Sequence, residues 1–200
     1  MQSISRRTLL AGVAALPVLA ADEKMPAFKQ KVAIFSKHLS FVKGDALAQA
    51  AADCGFDCVD LTVRKGGHVE PERVRQDLPP LVATIKRHGL DVPMITTDIS
   101  DDATPFAEDI LKTMNELGIR RYRWNGFKYE NGRAFAAQLD ALKPRVAKLA
   151  ALNARYQATA MYHTHLGAGV VGAPIWDLYI LLKDFDVSEI YALRLGWRRF

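Results

Sequence analysis

The sequence is poor in the features that mark several common protein classes. Only two of its 200 residues are cysteine, Cys54 and Cys58. Their C-x-x-x-C spacing is not the redox C-x-x-C, and no second pair completes a zinc site. Both read as small residues flanking a helix end and a strand start, although an oxidising compartment would permit a bridge. No G-x-G-x-x-G follows the first β-rich run and no Walker A motif occurs, which removes the strongest arguments for a nucleotide-binding sheet. There is no block of five or six like charges. The net charge of +5 falls to +3 without Arg6 and Arg7, since residues 1–20 hold no acid, and so mild a balance excludes nucleic acid as the expected partner. The densest basic cluster, Arg194, Arg198 and Arg199, reads as solvated surface. Beyond Ala21 no apolar run approaches the roughly 20 residues of a membrane span.

What is present begins with an export signal. Ser5-Arg6-Arg7-Thr8-Leu9-Leu10 precedes a short apolar run from Ala11 to Ala21. A positive segment followed by a short apolar stretch fits a secretory leader, and paired arginines before two leucines fit the twin-arginine type. Val18-Leu19-Ala20 offers a cleavage site before Ala21. The expected location is therefore periplasmic or secreted, with residues 1–20 as signal peptide; an ordinary secretory signal or a tethered leader is the alternative.

From Lys31 onward, short β-rich runs alternate with amphipathic helical runs, and half of all residues are hydrophobic, enough for one packed domain. Strands are predicted over 31–36, 58–63, 92–97, 120–127 and 156–163. Helices are predicted over 45–54, 71–88, 133–154 and 174–185, with a further one carrying Phe106, Ile110, Met114 and Leu117 on one face. Gly55, Gly89 and Gly118 act as stops. Pro79-Pro80 predicts a kink or break, and Pro144 a bend. Trp176, Ile180 and Leu181 are expected to anchor the last helix. Five βα units imply parallel strands and right-handed crossovers, which suits either an open doubly wound sheet or a (β/α) barrel.

Polar residues stand at the end of every strand: Lys37-His38, Asp60 with Thr62, Thr96-Thr97-Asp98, Arg123 with Asn125, and His163 with His165. Active sites of (β/α) barrels lie on that rim. Residues two apart in a strand share a face, so His163 and His165 point the same way and are candidate divalent ligands or substrate contacts. Asp60 and Thr62 also share a face. Asp60 either takes a ligand hydroxyl or proton, or pairs with Arg64 or Arg123. Lys37, His38, Thr96 and Asp98 are candidate substrate contacts or ordinary loop polarity. His68 follows Gly66-Gly67, either a mobile loop over a ligand or a turn needing positive φ. Arg123 either holds an anionic substrate through its planar fork or pairs with an aspartate. Trp124 either stacks on a ligand face or packs.

At these strand ends the chain resembles the sugar phosphate isomerase/epimerase family with its xylose isomerase-like TIM barrel. The resemblance is carried by Phe35-Ser36-Lys37-His38-Leu39, by Gly55 to Arg64 with Gly66-Gly67-His68-Val69, by Pro93 to Thr97 and Tyr122-Arg123, and by Tyr162-His163-Thr164-His165 with Val171-Gly172-Ala173 and Trp176-Asp177-Leu178. It runs from about Lys31 to Asp186 and implies an incomplete (β/α)8 barrel of five to six βα units over 31–186, followed by an atypical tail, 187–200. It also implies a small-molecule sugar substrate, a divalent metal (Mn, Mg or Zn), catalytic roles for Asp60, His163 and His165, and substrate contacts from Lys37, His38, Thr62, His68, Thr96, Asp98, Arg123, Trp124 and Asn125. In family members a Glu ending the fourth strand is a ligand; here Arg123-Trp124-Asn125 stand there, with no acid until Glu130. The remaining family ligands come from strands six to eight. The expectation is therefore a C-terminally truncated sugar isomerase/epimerase that is homo-oligomeric or poorly soluble, with a non-catalytic sugar-binding barrel or an inactive gene product as alternatives.

Overall fold

The computed structural model describes residues 30–165, 167–186 and 188–193. The proposed leader, with Arg6 and Arg7, and the basic cluster Arg194, Arg198 and Arg199 lie outside the described residues. Contacts divide the chain after Gln30, and every strand and helix described belongs to the unit that begins at Lys31.

Six strands alternate with five α-helices: β1 (Ala33–Phe35), α1 (Asp45–Asp53), β2 (Cys58–Val63), α2 (Val74–Arg87), β3 (Asp91–Thr97), α3 (Ala107–Glu116), β4 (Arg121–Trp124), α4 (Phe135–Arg155), β5 (Thr159–His163), α5 (Ile175–Leu182) and β6 (Ile190–Leu193). Short 3-10 turns cover Ser36–Leu39 and Pro71–Arg73. All strand pairs are parallel, in the order β1-β2-β3-β4-β5-β6. That order separates the two architectures left open by the sequence. A doubly wound sheet reverses direction at a switch point, whereas this sheet adds each strand on the same side, as a barrel does. The barrel is not closed: among the described residues β1 and β6 each pair on one side only.

Alternation along the strands gives the sheet two different faces. Val59, Leu61, Val63, Ile95, Tyr122, Trp124, Ala160 and Tyr162 are buried and join one core cluster with helix residues such as Leu47, Leu78, Ile85, Leu111 and Leu149. The opposite face carries Asp60, Thr62, Thr96, Arg123, Met161 and His163, kept in line across β2 to β5 by the registers Thr62↔Thr96, Thr96↔Arg123 and Arg123↔Met161. This second face is the inside of the barrel. A buried polar bridge ties the far strands together: Tyr122 donates to Asn153 Oδ1 (2.9 Å), and Asn153 Nδ2 donates to the Glu189 carbonyl (2.9 Å).

Several elements differ from the sequence expectation. α2 runs unbroken through Pro79 and Pro80. Its apolar side, Val74, Leu78, Val82 and Ile85, is fully packed, and that burial outweighs the two missing amide donors. β4 ends at Trp124 rather than Phe127, because the Asn125 amide turns to the Ile99 carbonyl (2.8 Å) and Lys128 bridges to Val170 instead. Phe106 is not on the helix face; it precedes α3 with φ 62 and is partly exposed. In α5 the buried residues are Asp177, Leu178 and Leu181, while Trp176 and Ile180 face outward. A helix apolar on all sides gives periodicity nothing to discriminate. Cys54 is exposed and Cys58 buried, and both are free thiols; burial pushes the Cys58 thiol up.

Candidate functional site

The inner face opens at the carboxyl ends of the strands into two corners. At the corner of β1 and β2, the side chains hold one another. The Thr62 amide donates to Ser36 Oγ (2.9 Å), across 26 residues of chain. Ser36 Oγ and Thr62 Oγ1 lie 3.2 Å apart. The His68 amide donates to Thr62 Oγ1 (3.0 Å). The His68 ring completes the knot. Its Nε2 sits 3.2 Å from both the Leu39 and the Val42 carbonyl, and carbonyls only accept, so Nε2 carries the proton. Nδ1 is then left to accept from Thr62 Oγ1 at 2.9 Å. The turn before it has Gly66 at φ +68 and Gly67 so close to the backbone that a Cβ would lie 2.9 Å from the carbonyl oxygens of both Arg64 and Thr62. The positive-φ turn is thus present, and both imidazole nitrogens of His68 are engaged within the protein.

Between the corners lies Asp60. Thr96 Oγ1 donates to its two carboxylate oxygens at 2.9 and 3.0 Å. Burial raises the Asp60 carboxyl to about 6, against the opposing pull of the Thr96 hydrogen bond and of the Arg123 and Arg64 charges. Asp60 therefore exchanges its proton not far from neutrality. The two arginines flank Phe35, with guanidinium carbons 6.0 Å (Arg64) and 5.9 Å (Arg123) from its ring centroid.

At the corner of β4 and β5, a cavity of about 410 Å³ is lined by Arg123, Asn125, Phe127, Lys128, His163 and His165, with Trp124 and Tyr162 among its walls. Its volume is in the range of small-molecule sites. Arg123 Nη2 lies 2.5 Å from His165 Nε2. A guanidinium has no acceptor, so this nitrogen is unprotonated and accepts. His163 Nδ1 lies 3.2 Å from the same atom. Burial, the Arg123 charge and His165 all push the His163 imidazole below its ordinary value. Burial pushes Arg123 down, with Asp60 pulling it back up and Arg64 adding to the depression.

The structure therefore gathers Asp60, Thr62, Thr96, Arg123, His163 and His165 on one rim and gives the other candidates different surroundings. Trp124 is buried and donates its indole N–H to the Ser100 carbonyl (2.8 Å). Asp98 accepts from the Lys65 amide (3.3 Å). His38 packs edge-on to Phe35, at a centroid distance of 5.8 Å, and Lys37 is exposed beside a second, smaller cavity. Met161 was legible but missed: it lies two residues before His163, on the same face, and its sulfur accepts from Tyr191 Oη at 2.8 Å. Lys43 was missed because its neighbours in space come from the loop after β2.

A divalent cation does not fit the described residues. Among them no group of three or more His, Cys, Asp or Glu could hold a metal ion. The nitrogen His165 would offer already faces the Arg123 guanidinium, whose charge opposes a cation. His163 and His165, candidate ligands or substrate contacts in the sequence, are hydrogen-bonded to each other and to Arg123 in this structure.

No family model and no curated protein matches the chain. Its fold does match solved structures. A D-tagatose 3-epimerase-like protein superposes with a TM-score of 0.61 at 14% identity, over 80% of this chain and 63% of that one. A putative xylose isomerase from Rhodospirillum rubrum gives 0.64 at 13%, over 82% and 65%. A xylose isomerase-like TIM barrel protein from Mycobacterium smegmatis, in complex with magnesium, gives 0.53 at 13%, over 82% and 64%. The chain thus spans less than two thirds of each of these structures. Sequential parallel strands, an inward polar rim and these superpositions together show the fold of the xylose isomerase-like TIM barrels, here as an open run of six strands.

Proposed function

We propose that the chain is a sugar isomerase/epimerase-like protein that moves a proton next to the carbonyl of a monosaccharide or related polyol. The observation that carries this reading is the unprotonated His165 nitrogen held by Arg123, whose charge also acts on a half-buried Asp60 raised to about 6. Acid–base groups work best when their proton affinities lie close to the operating pH, and a fixed cation stabilises charge that develops on oxygen. A sugar carbonyl oxygen entering the cavity takes the Arg123 guanidinium and releases His165 Nε2. That nitrogen removes the adjacent C–H proton, the electron pair moves into the carbon–carbon bond, and the resulting enediolate oxygen stays on Arg123. Protonated His165, or Asp60 in its acid form, returns a proton to carbon. Sugar epimerases and isomerases sharing the fold support the substrate class. Export through the leader is part of the same proposal.

A second reading, a sugar-binding barrel without turnover, is favoured by Arg123-Trp124-Asn125 where the family carries a ligand Glu. One experiment separates them. The full chain is incubated with ketoses and aldoses in D2O and the sugars are followed by proton NMR. Loss of a C–H signal next to the carbonyl supports turnover; tight sugar binding without exchange supports the second reading.

A further inference from the structure

A second cavity, of about 180 Å³, lies between the loops that follow β1 and β2 and is lined by Lys37, Ser40, Lys43, Arg64 and Glu70 around the Gly66–His68 turn. Three cations there meet one carboxylate. Elsewhere many basic side chains are paired with acids: Arg73 with Asp77, Arg75 with Asp109, Arg145 with Asp101, Arg155 with Glu108. Among the described residues no ion pair joins Lys37, Lys43 or Arg64 to a carboxylate, and Glu70 instead accepts from the Gly66 amide (2.9 Å). The backbone donors of the turn are also engaged, Gly67 with the Arg64 carbonyl (2.8 Å) and His68 with Thr62 (3.1 Å). Whatever enters is read by side chains. The His68 knot locks the loop bearing Lys37, Ser40 and Lys43 to the loop bearing Arg64, so the cations are held together before any ligand arrives, which lowers the ordering cost of binding. At about 30 Å³ per water, the space suits a tetrahedral or planar oxyanion with a few waters.

We infer that this cavity is an anion subsite, built to take the phosphate or carboxylate group of a ligand whose polyol end reaches Asp60 and Arg123. Arg64 belongs to both places, since it lines the cavity and its charge also acts on Asp60. The polyol half of the inference rests on the proposed function; the anion half does not.

The test is calorimetric titration of the full chain with inorganic phosphate and, separately, with acetate, at constant ionic strength. Saturable binding is expected, about tenfold weaker in the double variant Lys37→Ala/Lys43→Ala and unchanged in Lys143→Ala, whose side chain pairs with Asp140 on α4. Both cavity lysines are exposed, so an unchanged melting temperature shows that the double variant is folded. Tighter phosphate than acetate points to a sugar phosphate, and the reverse to a sugar acid. No saturable binding of either anion, or equal affinity in wild type and double variant, overturns the subsite. Anion binding in a protein that exchanges no sugar proton keeps the subsite and removes the isomerase reading; exchange into neutral sugars without anion binding does the opposite.

Discussion

The two corners of the barrel mouth use similar side chains in opposite ways. At β1–β2, His68 has every ring nitrogen satisfied by protein, and Ser36 and Thr62 are buried within the same network. At β4–β5, His163 and His165 have only each other and Arg123 as hydrogen-bond partners among the described residues, and they line the larger cavity. A satisfied buried polar group rigidifies a fold, whereas an acceptor held by an exchangeable donor is available to a ligand. The difference teaches that a histidine's position at a strand end does not by itself assign its role. The role follows from what its second nitrogen touches.

The largest effect expected lies between the corners, at Asp60. Its folded value of about 6 stands above the ordinary 3.8, so the folded protein binds the proton more tightly than the unfolded chain. The stability this contributes is full below about pH 4 and is lost as pH rises through about 6, up to roughly 3 kcal/mol. Asp60→Asn should remove that loss. Urea melts of both proteins from pH 4 to 8 check it, and parallel pH profiles would show that burial does not govern this carboxyl.

Next in size is the knot itself. His68→Ala removes the ring bonds to Leu39, Val42 and Thr62 and should destabilise the chain by about 2 kcal/mol, measured as a lower denaturation midpoint. A smaller loss is expected from Arg145→Ala. Arg145 donates to the Asp101 carboxylate (2.8 Å from Nε) and lies over the Phe127 ring at 4.6 Å, bracing the wall of the β4–β5 cavity. Burial alone would raise Asp101, but the Arg145 and Thr104 contacts hold it below the usual carboxylate range. Removing Arg145 should cost about 1.5 kcal/mol. Because the Asp101 value is depressed, the wild-type advantage should persist at neutral pH and fade as pH falls through that value. The smallest change in stability, within about 0.5 kcal/mol, is expected for His163→Ala and His165→Ala. If these two proved as damaging as His68→Ala, the contrast between the corners would collapse.

Much of the frame was legible in the sequence. β2 is found over the predicted residues, and the glycines after α1, α2 and α3 do end their helices, because strand alternation and helix stops are local signals. Asp60 and Thr62 share a face as period two requires. What was not legible depends on distant partners. The Ser36–Thr62 bond spans 26 residues and the His68–Leu39 contact 29, so no window of sequence contains them. Gly66-Gly67-His68 could be read only as a loop or a turn until the ring's acceptors were known. Trp176 and Ile180 were placed on the wrong side of α5 because Ile175, Tyr179 and Leu182 make that helix apolar nearly all round. The early end of β4 reflects acceptors on two other loops, the Ile99 and Gly169 carbonyls, which take the Asn125 and Tyr129 amides.

The contrast between the corners is tested most directly by solvent-deuterium exchange into a panel of ketoses and aldoses, run on wild type, His165→Ala and His68→Ala, with a melt of each protein alongside. Exchange next to the carbonyl in wild type, its loss in His165→Ala without a change in melt, and its retention in folded but less stable His68→Ala are the expected results. Exchange undiminished in His165→Ala, or no exchange into any sugar by wild type, would contradict them.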